Sequence, residues 1–379
     1  MRIAISTGGG DAPGLNAVIR AVVLSASARG WECFGCLRGF DSLMARGDLD
    51  RSASWGRPER RRVAFPHGLM PLGPQEVRGI THLGGTILGS SNRGNPFRWS
   101  TPGPDGTPVE TDRSDELIAA FGAAGIDGLV SIGGDGTLRI AHDLSLKGLP
   151  VVGVPKTIDN DVFGTDVTFG FDTAVATATD AIDKLHSTAE SHDRVMVVEL
   201  MGRNAGWISL YSGISGSADV ILIPEIPFDI ESVCAKIRDR ETQGRRFSIV
   251  VVAEGARPKG GEQVLLDTAG AGTVERLGGI AAAVAEAIAQ RTGKETRSLV
   301  LGHLQRGGSP TAADRLLALR FGAAAVAAIS DGAFGSVVVF GPDGVGFRPL
   351  AEVVGRQRLV PLNHGVIQTA RSLGTNLGD

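Results

Sequence analysis

The sequence has no run of 18 apolar residues, few cysteines and no excess of either charge. Without such a run, a chain has no candidate transmembrane helix of ordinary length. Lysine and arginine total 38 against 41 aspartate and glutamate residues, a net charge of −3, which leaves no basic footprint for nucleic acid. We therefore expect neither a membrane nor a nucleic acid as a partner.

Three cysteines are too few for a disulfide framework in 379 residues. Cys33 and Cys36 form a C-x-x-C, but no second cysteine or histidine pair follows at the spacing of metal ligands. They read as two buried thiols on a strand. The opening residues, Met1 to Ser6, predict a strand rather than a signal peptide, so we expect a cytoplasmic protein.

The composition indicates a folded chain with many tight turns. Apolar residues make up 42% of the chain, and glycine contributes 54 residues, about twice its usual share. Short apolar runs alternate with helical stretches, which predicts parallel sheets covered on both faces, and the length favours two α/β domains. The predicted strands are Ile3–Ser6, Leu129–Ile132, Val151–Val154, Val195–Leu200, Val220–Ile223, Ser248–Ala253, Ser298–Gly302 and Ser336–Phe340. The predicted helices include Ala12–Arg29, Ser114–Ala124, Thr173–Thr188, Ile230–Arg240 and Ala281–Gln290.

Three glycine-rich turns mark candidate phosphate sites. Thr7–Gly14 and Gly133–Thr137 each follow an apolar strand directly, and Gly84–Arg93 adds a guanidinium. Glycines let backbone amides approach a phosphate, and a following helix N-terminus favours the anion. Asp135 lies among these glycines, where a carboxylate suits a phosphate only if a cation such as Mg²⁺ lies between them.

The segment Pro155–Asp161 reads P-K-T-I-D-N-D at the end of a predicted strand. One carboxylate can deprotonate a hydroxyl while the other holds a metal, and the cation of Lys156 offsets charge on a moving phosphoryl group. An Asx-rich turn is the alternative reading of such a motif. With the Asp135 turn one strand earlier, we favour phosphoryl transfer.

Positively charged residues occur near the ends of later strands. Arg194, Arg203, Arg297 and the segment His303–Gly308 are candidates for holding a second anionic group such as a sugar phosphate.

Together these motifs resemble the phosphofructokinases that phosphorylate fructose 6-phosphate at its 1-hydroxyl. The resemblance rests on G-G-D-A-P-G, G-G-D-G-T, P-K-T-I-D-N-D, M-G-R and G-H-x-Q-R-G-G-S-P, and it runs from Ile3 to about Ala328. It implies two doubly wound, Rossmann-like α/β domains with the active site in the cleft between them. A donor-binding domain would comprise residues 1–170 and roughly 305–355. A sugar-phosphate domain would comprise residues 171–304 and roughly 356–379.

The resemblance also assigns roles to particular residues. Asp159 matches the catalytic base, assisted by Lys156 and Arg203, and Asp135 and Asp161 would hold Mg²⁺. The residues implied in binding the phosphoryl donor are Gly10, Arg93, Gly94, Gly134, Asp135, Gly136 and Thr137. Those implied in binding the sugar phosphate are Thr157, Ile158, Asp159, Arg194, Met201, Gly202, Arg203, Glu254, Arg297, His303, Leu304, Gln305 and Arg306. Arg194 and Arg297 match arginines that reach the 6-phosphate from a neighbouring subunit, which implies a homo-oligomer, a dimer or a tetramer, with shared active sites.

The identity of the donor depends on two positions. The family's bacterial ATP enzymes have Gly where this chain has Lys156, and its pyrophosphate enzymes have Lys there but Asp in place of Gly136. A carboxylate at position 136 would project into the space of the α-phosphate of ATP, with steric clash and charge repulsion. Gly136 therefore favours ATP, with pyrophosphate as the alternative donor.

Other functions stay open from the sequence alone. Sedoheptulose 7-phosphate presents the same hydroxyl end as fructose 6-phosphate. The G-G-D-G-T turn also occurs in NAD kinases and lipid kinases, but those families lack the P-K-T-I-D-N-D and M-G-R segments. A non-catalytic sensor of phosphate ligands on the same fold is the alternative from a different functional class.

Overall fold

The computed structural model describes residues 1–44, 68–91, 94–102, 107–267 and 276–379. These residues form two compact units. The first comprises Met1–Thr157, Val162–Gly170 and Arg306–Gln357, and the second comprises Ile158–Asp161, Phe171–Gln305 and Arg358–Asp379. Four residues of the predicted donor domain, 158–161, thus group with the second unit.

Strands and helices alternate along most of the chain. The strands are β1 Arg2–Thr7, β2 Glu32–Cys36, β3 Leu69–Leu72, β4 Trp99–Pro102, β5 Pro108–Thr111, β6 Gly128–Gly133, β7 Val151–Pro155, β8 Val195–Leu200, β9 Val220–Leu222, β10 Ser248–Ala253, β11 Leu265–Asp267, β12 Arg276–Leu277, β13 Thr296–Val300, β14 Ser336–Gly341 and β15 Gly344–Pro349. The α-helices are α1 Leu15–Ser27, α2 Asp41–Met44, α3 Ser114–Ala123, α4 Asp135–Leu146, α5 Phe171–Ser191, α6 Trp207–Ser215, α7 Ile230–Thr242, α8 Ile280–Thr292, α9 Ala312–Ser330, α10 Leu350–Val353 and α11 Gly365–Ser372.

The first unit is built on a seven-stranded sheet in the order β15-β14-β7-β6-β1-β2-β3. Its five inner strands are parallel, whereas β3 and β15 pair antiparallel at the two edges. Side chains of a strand alternate between faces, so Ile3 and Ile5 pack with α1 and α9 while Ala4 packs on the other side with α3 and α4. Helices on both faces explain why the successive residues Ile3, Ala4 and Ile5 of β1 are all apolar.

The second unit contains a four-stranded parallel sheet in the order β13-β8-β10-β9. Val195 and Val197 of β8 and Val250 and Val252 of β10 face the core formed with α7 and α8. Val198 of β8 and Val251 of β10, which point to the opposite face, are equally buried. Both units are therefore doubly wound α/β structures, as the sequence predicts.

The two cysteines of the C-x-x-C lie in β2, and both are free and buried. Burial raises the pKa of Cys33 to about 12 and that of Cys36 further. Such thiols are protonated at neutral pH and are poor metal ligands. Within the described ranges, no helix combines the length and hydropathy needed to cross a bilayer.

The close packing of α1 against α9 depends on Gly322. A Cβ atom built on Gly322 would lie 2.6 Å from the Val18 carbonyl oxygen and 2.7 Å from the Ala21 Cβ. Glycine in a helix normally costs about 0.5–1 kcal/mol relative to alanine. Here the missing side chain is what allows the backbones of the two helices to approach.

We therefore expect Gly322→Ala to destabilise the protein by about 1–3 kcal/mol through overpacking. Gly122 in α3 is the matched control, because a Cβ there meets no atom within 4 Å. Gly122→Ala should instead stabilise the protein by up to about 1 kcal/mol. Urea unfolding midpoints of the two variants test this, and equal shifts would contradict the packing argument.

Candidate active site

Three adjacent strands of the first unit, β1, β6 and β7, end side by side in the segments that the sequence marks for phosphate binding. The Gly8–Gly10 turn follows β1, Gly134 follows β6, and Lys156 follows β7. The strands are parallel and in register, from Thr7 opposite Ile132 to Gly133 opposite Pro155. Their carboxyl ends therefore bring the three segments to one sheet edge, where ligands of such sheets bind.

A pocket of about 350 Å³ opens at this edge. It is large enough for a nucleotide-sized ligand. Its lining residues all belong to the first unit: Ser6, Gly8, Gly9, Gly10, Gly39, Phe40, Ser91, Gly94, Asn95, Gly134, Gly136, Thr137, Ile140, Lys156, Thr157 and Arg306.

Backbone hydrogen bonds fix the Gly8–Gly10 turn. The Gly8 amide donates to the Ile132 carbonyl at 2.9 Å, and the Gly9 amide donates to the Ser91 carbonyl at 3.2 Å. The Ser90 hydroxyl donates to the Gly9 carbonyl at 2.5 Å. The turn is therefore held in place before any ligand arrives, which reduces the cost of ordering it on binding.

The glycines of these turns make room for Thr137. A Cβ on Gly133 would lie 2.3 Å from the Thr137 Cβ, and a Cβ on Gly8 would lie 2.7 Å from its Oγ1. Gly9 has φ of +74°, a left-handed conformation that favours glycine. Larger residues at positions 8 and 133 would push the Thr137 side chain out of the pocket wall.

Lys156 brings a positive charge into the pocket wall, although its exposed fraction is only 3%. Its Nζ donates a hydrogen bond to the Gly10 carbonyl, and its backbone amide donates to the Gly133 carbonyl at 2.9 Å. A buried ammonium group is costly unless it is paired or hydrogen-bonded. The position of Lys156 therefore suits a site that receives an anion.

The N-terminus of α4 contributes a second attraction for anions. Its N-cap, Gly134, makes no capping hydrogen bond through a side chain, so the first-turn amides remain available. A Cβ on Gly136 would meet no atom within 4 Å, which means that this side of the pocket is open. The arrangement is that of a phosphate site at a helix N-terminus.

Asp135 is the carboxylate that the structure places beside this helix end. Its Oδ1 accepts a hydrogen bond from the Gly355 amide at 3.2 Å, and in the described part of the chain its Oδ2 accepts none. No group of three or more His, Cys, Asp or Glu side chains able to hold a metal occurs among the described residues. A single carboxylate completed by phosphate oxygens and water is nevertheless the usual setting of Mg²⁺. The residues present therefore fit such an ion.

Arg306 also lies at this pocket. Its Nη1 donates to the Asp11 carbonyl at 3.2 Å, and it would lie 3.0 Å from a Cβ on Gly10. The sequence assigns Arg306 to the sugar phosphate, and the structure places it beside the Gly8–Gly10 turn as well. Arg93, a predicted donor-binding residue, lies outside the described residues.

Asp159, the predicted base, belongs to the second unit and is half-buried. Ile158 before it is fully buried, so the substrate contact predicted for it stays a prediction. Asn160 after it has φ of +53° and is 3% exposed. The turn thus holds a strained conformation in a buried place, a combination common at functional sites.

The M-G-R segment follows β8 in the second unit. The Met201 amide donates to Gln305 Oε1 at 3.3 Å, and Gln305, fully buried, donates to the Gly302 carbonyl at 3.1 Å. Gly202, with φ of +139°, accepts from the Gly255 amide at 3.2 Å. These bonds bring M-G-R together with the 303–305 segment, as the sequence implies.

The remaining predicted residues of this group lie around the same segment. Glu254 follows β10 and its amide donates to the Leu200 carbonyl at 2.8 Å, while the Arg203 carbonyl accepts from Gln263 Nε2 at 3.1 Å. His303 and Leu304 are exposed. The sugar-phosphate roles of all these residues stay predictions.

Arg194 and Arg297 occupy a different place, which corrects their grouping with residues that follow strands. Arg194 precedes β8, and Arg297 is the second residue of β13. Both guanidinium groups contact Glu295 Oε1, at 2.9 Å and 2.5 Å, and the hydrogen bond from Arg194 lowers the pKa of Glu295. Met201 follows Arg194 by seven residues, which at the rise of a β-strand corresponds to about 23 Å. Within one chain, Arg194 and the M-G-R segment cannot hold the same phosphate.

Comparison with known proteins identifies the family. The sequence profile of the family described as phosphofructokinase matches residues 2–329. The chain belongs to the phosphofructokinase family.

Two relatives of nearly equal length differ in the donor that their names state. A protein of Chloroflexus aggregans named ATP-dependent 6-phosphofructokinase is 48% identical over 378 residues, which cover 100% of this chain and 98% of that protein. A protein of Amycolatopsis methanolica named pyrophosphate–fructose 6-phosphate 1-phosphotransferase is 47% identical over 364 residues, covering 95% and 96% of the two chains.

The phosphofructokinase of Saccharomyces cerevisiae has a similar structure, with a TM-score of 0.72 and 29% identity. The match covers 93% of this chain and 45% of the yeast chain, so this chain spans slightly under half of that length. Membership of the family makes the chain an enzyme of phosphoryl transfer, a reaction that needs a divalent metal ion.

This phosphofructokinase pocket also contains residues that the sequence did not single out. Phe40 and Ile140 give it an apolar part, and Asn95 adds a polar group. Phe40 follows β2 and Ile140 lies one turn into α4, so each lies near a predicted strand end or phosphate turn. No motif marks them, because any apolar residue of similar volume can line a pocket.

Proposed function

We propose that this chain is an ATP-dependent 6-phosphofructokinase. It transfers the γ-phosphoryl group of ATP to the 1-hydroxyl of fructose 6-phosphate, giving ADP and fructose 1,6-bisphosphate in glycolysis, a role that would place it in the cytoplasm. The observation that carries the proposal is the open space at Gly136 in a pocket that also contains Lys156 and the N-terminus of α4.

The open space at Gly136 favours a donor that continues past its β-phosphate. Pyrophosphate ends where ATP continues into an α-phosphate, ribose and base. Because nothing lies within 4 Å of a Cβ at this position, the α-phosphate can pass close to the backbone. Phe40 and Ile140 then offer apolar surface within the same pocket, as a nucleotide base requires.

The side chains of the motifs have different roles in the reaction. Asp159 accepts the proton of the 1-hydroxyl as the hydroxyl oxygen of the sugar bonds to the γ-phosphorus. The bond from that phosphorus to the β,γ-bridging oxygen breaks, and ADP leaves. Lys156 and Arg203 stabilise the negative charge on the moving phosphoryl group. Asp135 and Asp161 would hold Mg²⁺, which when bound neutralises charge on the phosphates of the donor.

The positions of Arg194 and Arg297 support active sites shared between copies of the chain. Both arginines lie near the amino ends of their strands, whereas M-G-R lies at the carboxyl end of β8. A 6-phosphate held by both groups therefore requires a second copy. Arg297, with 57% of its side chain exposed, is accessible to one.

Pyrophosphate is the second candidate donor. Lys156 matches the residue of the pyrophosphate enzymes at this position. The Amycolatopsis methanolica relative is named as a pyrophosphate-dependent enzyme. Lys156 supports either donor, however, because its charge acts on the transferred phosphoryl group that both donors share.

A coupled assay of the wild-type protein with Mg²⁺ separates these functions. ATP and pyrophosphate are each offered with fructose 6-phosphate and with sedoheptulose 7-phosphate. We expect turnover with ATP and fructose 6-phosphate to be fastest. Turnover with pyrophosphate alone would overturn the assignment of the donor, faster turnover of the seven-carbon sugar would overturn the acceptor, and binding of phosphate ligands without turnover would indicate a sensor.

Gly136→Asp should lower kcat/KM for ATP by at least about 100-fold, because the carboxylate repels and displaces the α-phosphate. Gly136→Asn is the control of equal size without the charge. If repulsion dominates, the Asn variant keeps more ATP activity than the Asp variant. The side chain at 136 meets open space, so neither variant should unfold below the wild-type temperature. Unchanged ATP kinetics in Gly136→Asp would remove this position from donor selection.

Asp159→Asn should lower kcat by about 10²–10⁴-fold because the amide cannot accept the proton. Binding of fructose 6-phosphate, measured by calorimetry, should stay close to wild type.

Mixing Asp159→Asn with Arg297→Ala protomers tests the shared site, since one kind of hybrid site then has both groups intact. Activity should return after subunit exchange, and mixtures that exchange subunits yet stay inactive would contradict sharing.

A further inference from the structure

The backbone of the Asp159–Asp161 turn is held by Arg358, a residue that no motif marks. The Arg358 amide donates to the Asp161 carbonyl at 2.9 Å. Its guanidinium Nη1 donates to the Asn160 carbonyl at 3.1 Å. One residue of the C-terminal segment thus holds two successive carbonyl groups directly after the proposed base, and all of these residues belong to the second unit.

Trp207 at the start of α6 fixes the Arg358 side chain in turn. The guanidinium carbon lies 4.1 Å from the centre of the Trp207 ring, and Trp207 Nε1 donates to the Arg358 carbonyl at 2.9 Å. The indole is 1% exposed. A guanidinium stacked on a buried aromatic ring has few alternative rotamers, so its hydrogen bond to Asn160 is preorganised.

A half-buried carboxylate, that of Glu225, joins the same two segments. Glu225 Oε1 accepts from the Val360 amide at 2.8 Å and from the Gly206 amide at 3.0 Å. Val360 lies two residues after Arg358, and Gly206 precedes Trp207. The path of the chain through Arg358 is therefore fixed from both sides, independently of the Asp159–Asp161 turn.

The turn needs such support because Asn160 has φ of +53°. Residues other than glycine adopt this conformation at a cost, smaller for asparagine than for most, so contacts that hold it stabilise the turn. Arg358 donates hydrogen bonds to the carbonyl of Asn160 and to the carbonyl of the next residue, Asp161. Releasing them would let the turn relax and move the side chain of Asp159.

We propose that Arg358 is a positioning residue for catalysis, which holds the Asp159–Asp161 turn so that the Asp159 carboxylate meets the substrate hydroxyl. The inference rests on the proposed function, because it takes Asp159 as the base. Arg358 acts through the backbone of the turn and is assigned no contact with substrate.

The test compares Arg358→Ala and Arg358→Lys with the control Arg371→Ala in the full-length protein. Arg358→Ala removes the bond to Asn160 and the stacking on Trp207, while Arg358→Lys keeps a charge over the ring and one donor. Arg371 lies in the same C-terminal segment and pairs with Asp379 near the chain end. Its loss controls for general weakening of that segment.

For Arg358→Ala we expect kcat to fall by about 10- to 100-fold with KM for fructose 6-phosphate within about threefold, since misplacing a reacting group by about 1 Å has this effect on rate. Arg358→Lys should recover most of the loss, and Arg371→Ala should match wild type. Hydrogen exchange of the peptide covering residues 158–161, measured without substrate, should speed up in Arg358→Ala and stay unchanged in Arg371→Ala.

The exchange measurement separates this inference from the proposed function. If the wild type shows no phosphoryl transfer, the proposed function fails, and exchange at 158–161 still decides whether Arg358 holds the turn. Faster exchange with an unchanged kcat overturns the positioning role, as does equal loss of kcat in Arg371→Ala, or a loss confined to KM. If Arg358→Ala does not fold, Arg358→Met decides, because it keeps an apolar stem over Trp207 but has no donor for the Asn160 carbonyl. We expect faster exchange at 158–161 and a lower kcat, and values equal to those of Arg371→Ala would overturn the proposal.

Discussion

The donor pocket depends on a buried ammonium group that joins the ends of two strands. Lys156 Nζ donates to the Gly10 carbonyl, and the Lys156 amide donates to the Gly133 carbonyl, so the segments after β1, β6 and β7 are linked through one residue. Burial of an uncompensated charge is costly, and the carbonyl offsets part of that cost. An anionic ligand offsets more. The same interaction therefore organises the pocket and favours the phosphates that the phosphofructokinase family binds.

Glycines set the shape of the pocket around that charge for two distinct reasons. At Gly8 and Gly133 the backbone passes so close to Thr137 that no side chain fits. At Gly136 the space is open, and the absence of a side chain leaves room for the ligand instead. The G-G-D-G-T motif thus contains Gly133, which packing requires, and Gly136, which we propose admits the donor, and only the distances around each residue distinguish them.

Much of the fold follows from local patterns. The predicted strands Val195–Leu200 and Ser248–Ala253 coincide with β8 and β10, because both faces of a central parallel strand are buried and the apolar run is continuous. The antiparallel edge strand β15 escaped prediction, since its residues are exposed or half-buried and carry no such run. Arg194 was grouped with residues that follow strands although it precedes β8, an error that arose from treating both ends of a strand alike.

The sequence by itself determined the family chemistry, because phosphate turns, an acidic turn and a lysine at the end of a strand are local signals carried by short stretches of chain. It also predicted strands close to β1, β6 and β7 and their place in parallel sheets, whereas their adjacency comes from the structure. Only the tertiary structure decided which residues complete these segments: Arg306 beside Gly10, Gly355 on Asp135, and Arg358 on the turn after Asp159. Each of these partners lies roughly 200 or more residues from the group that it contacts. No local pattern encodes such a pairing, because it arises from the packing of whole elements.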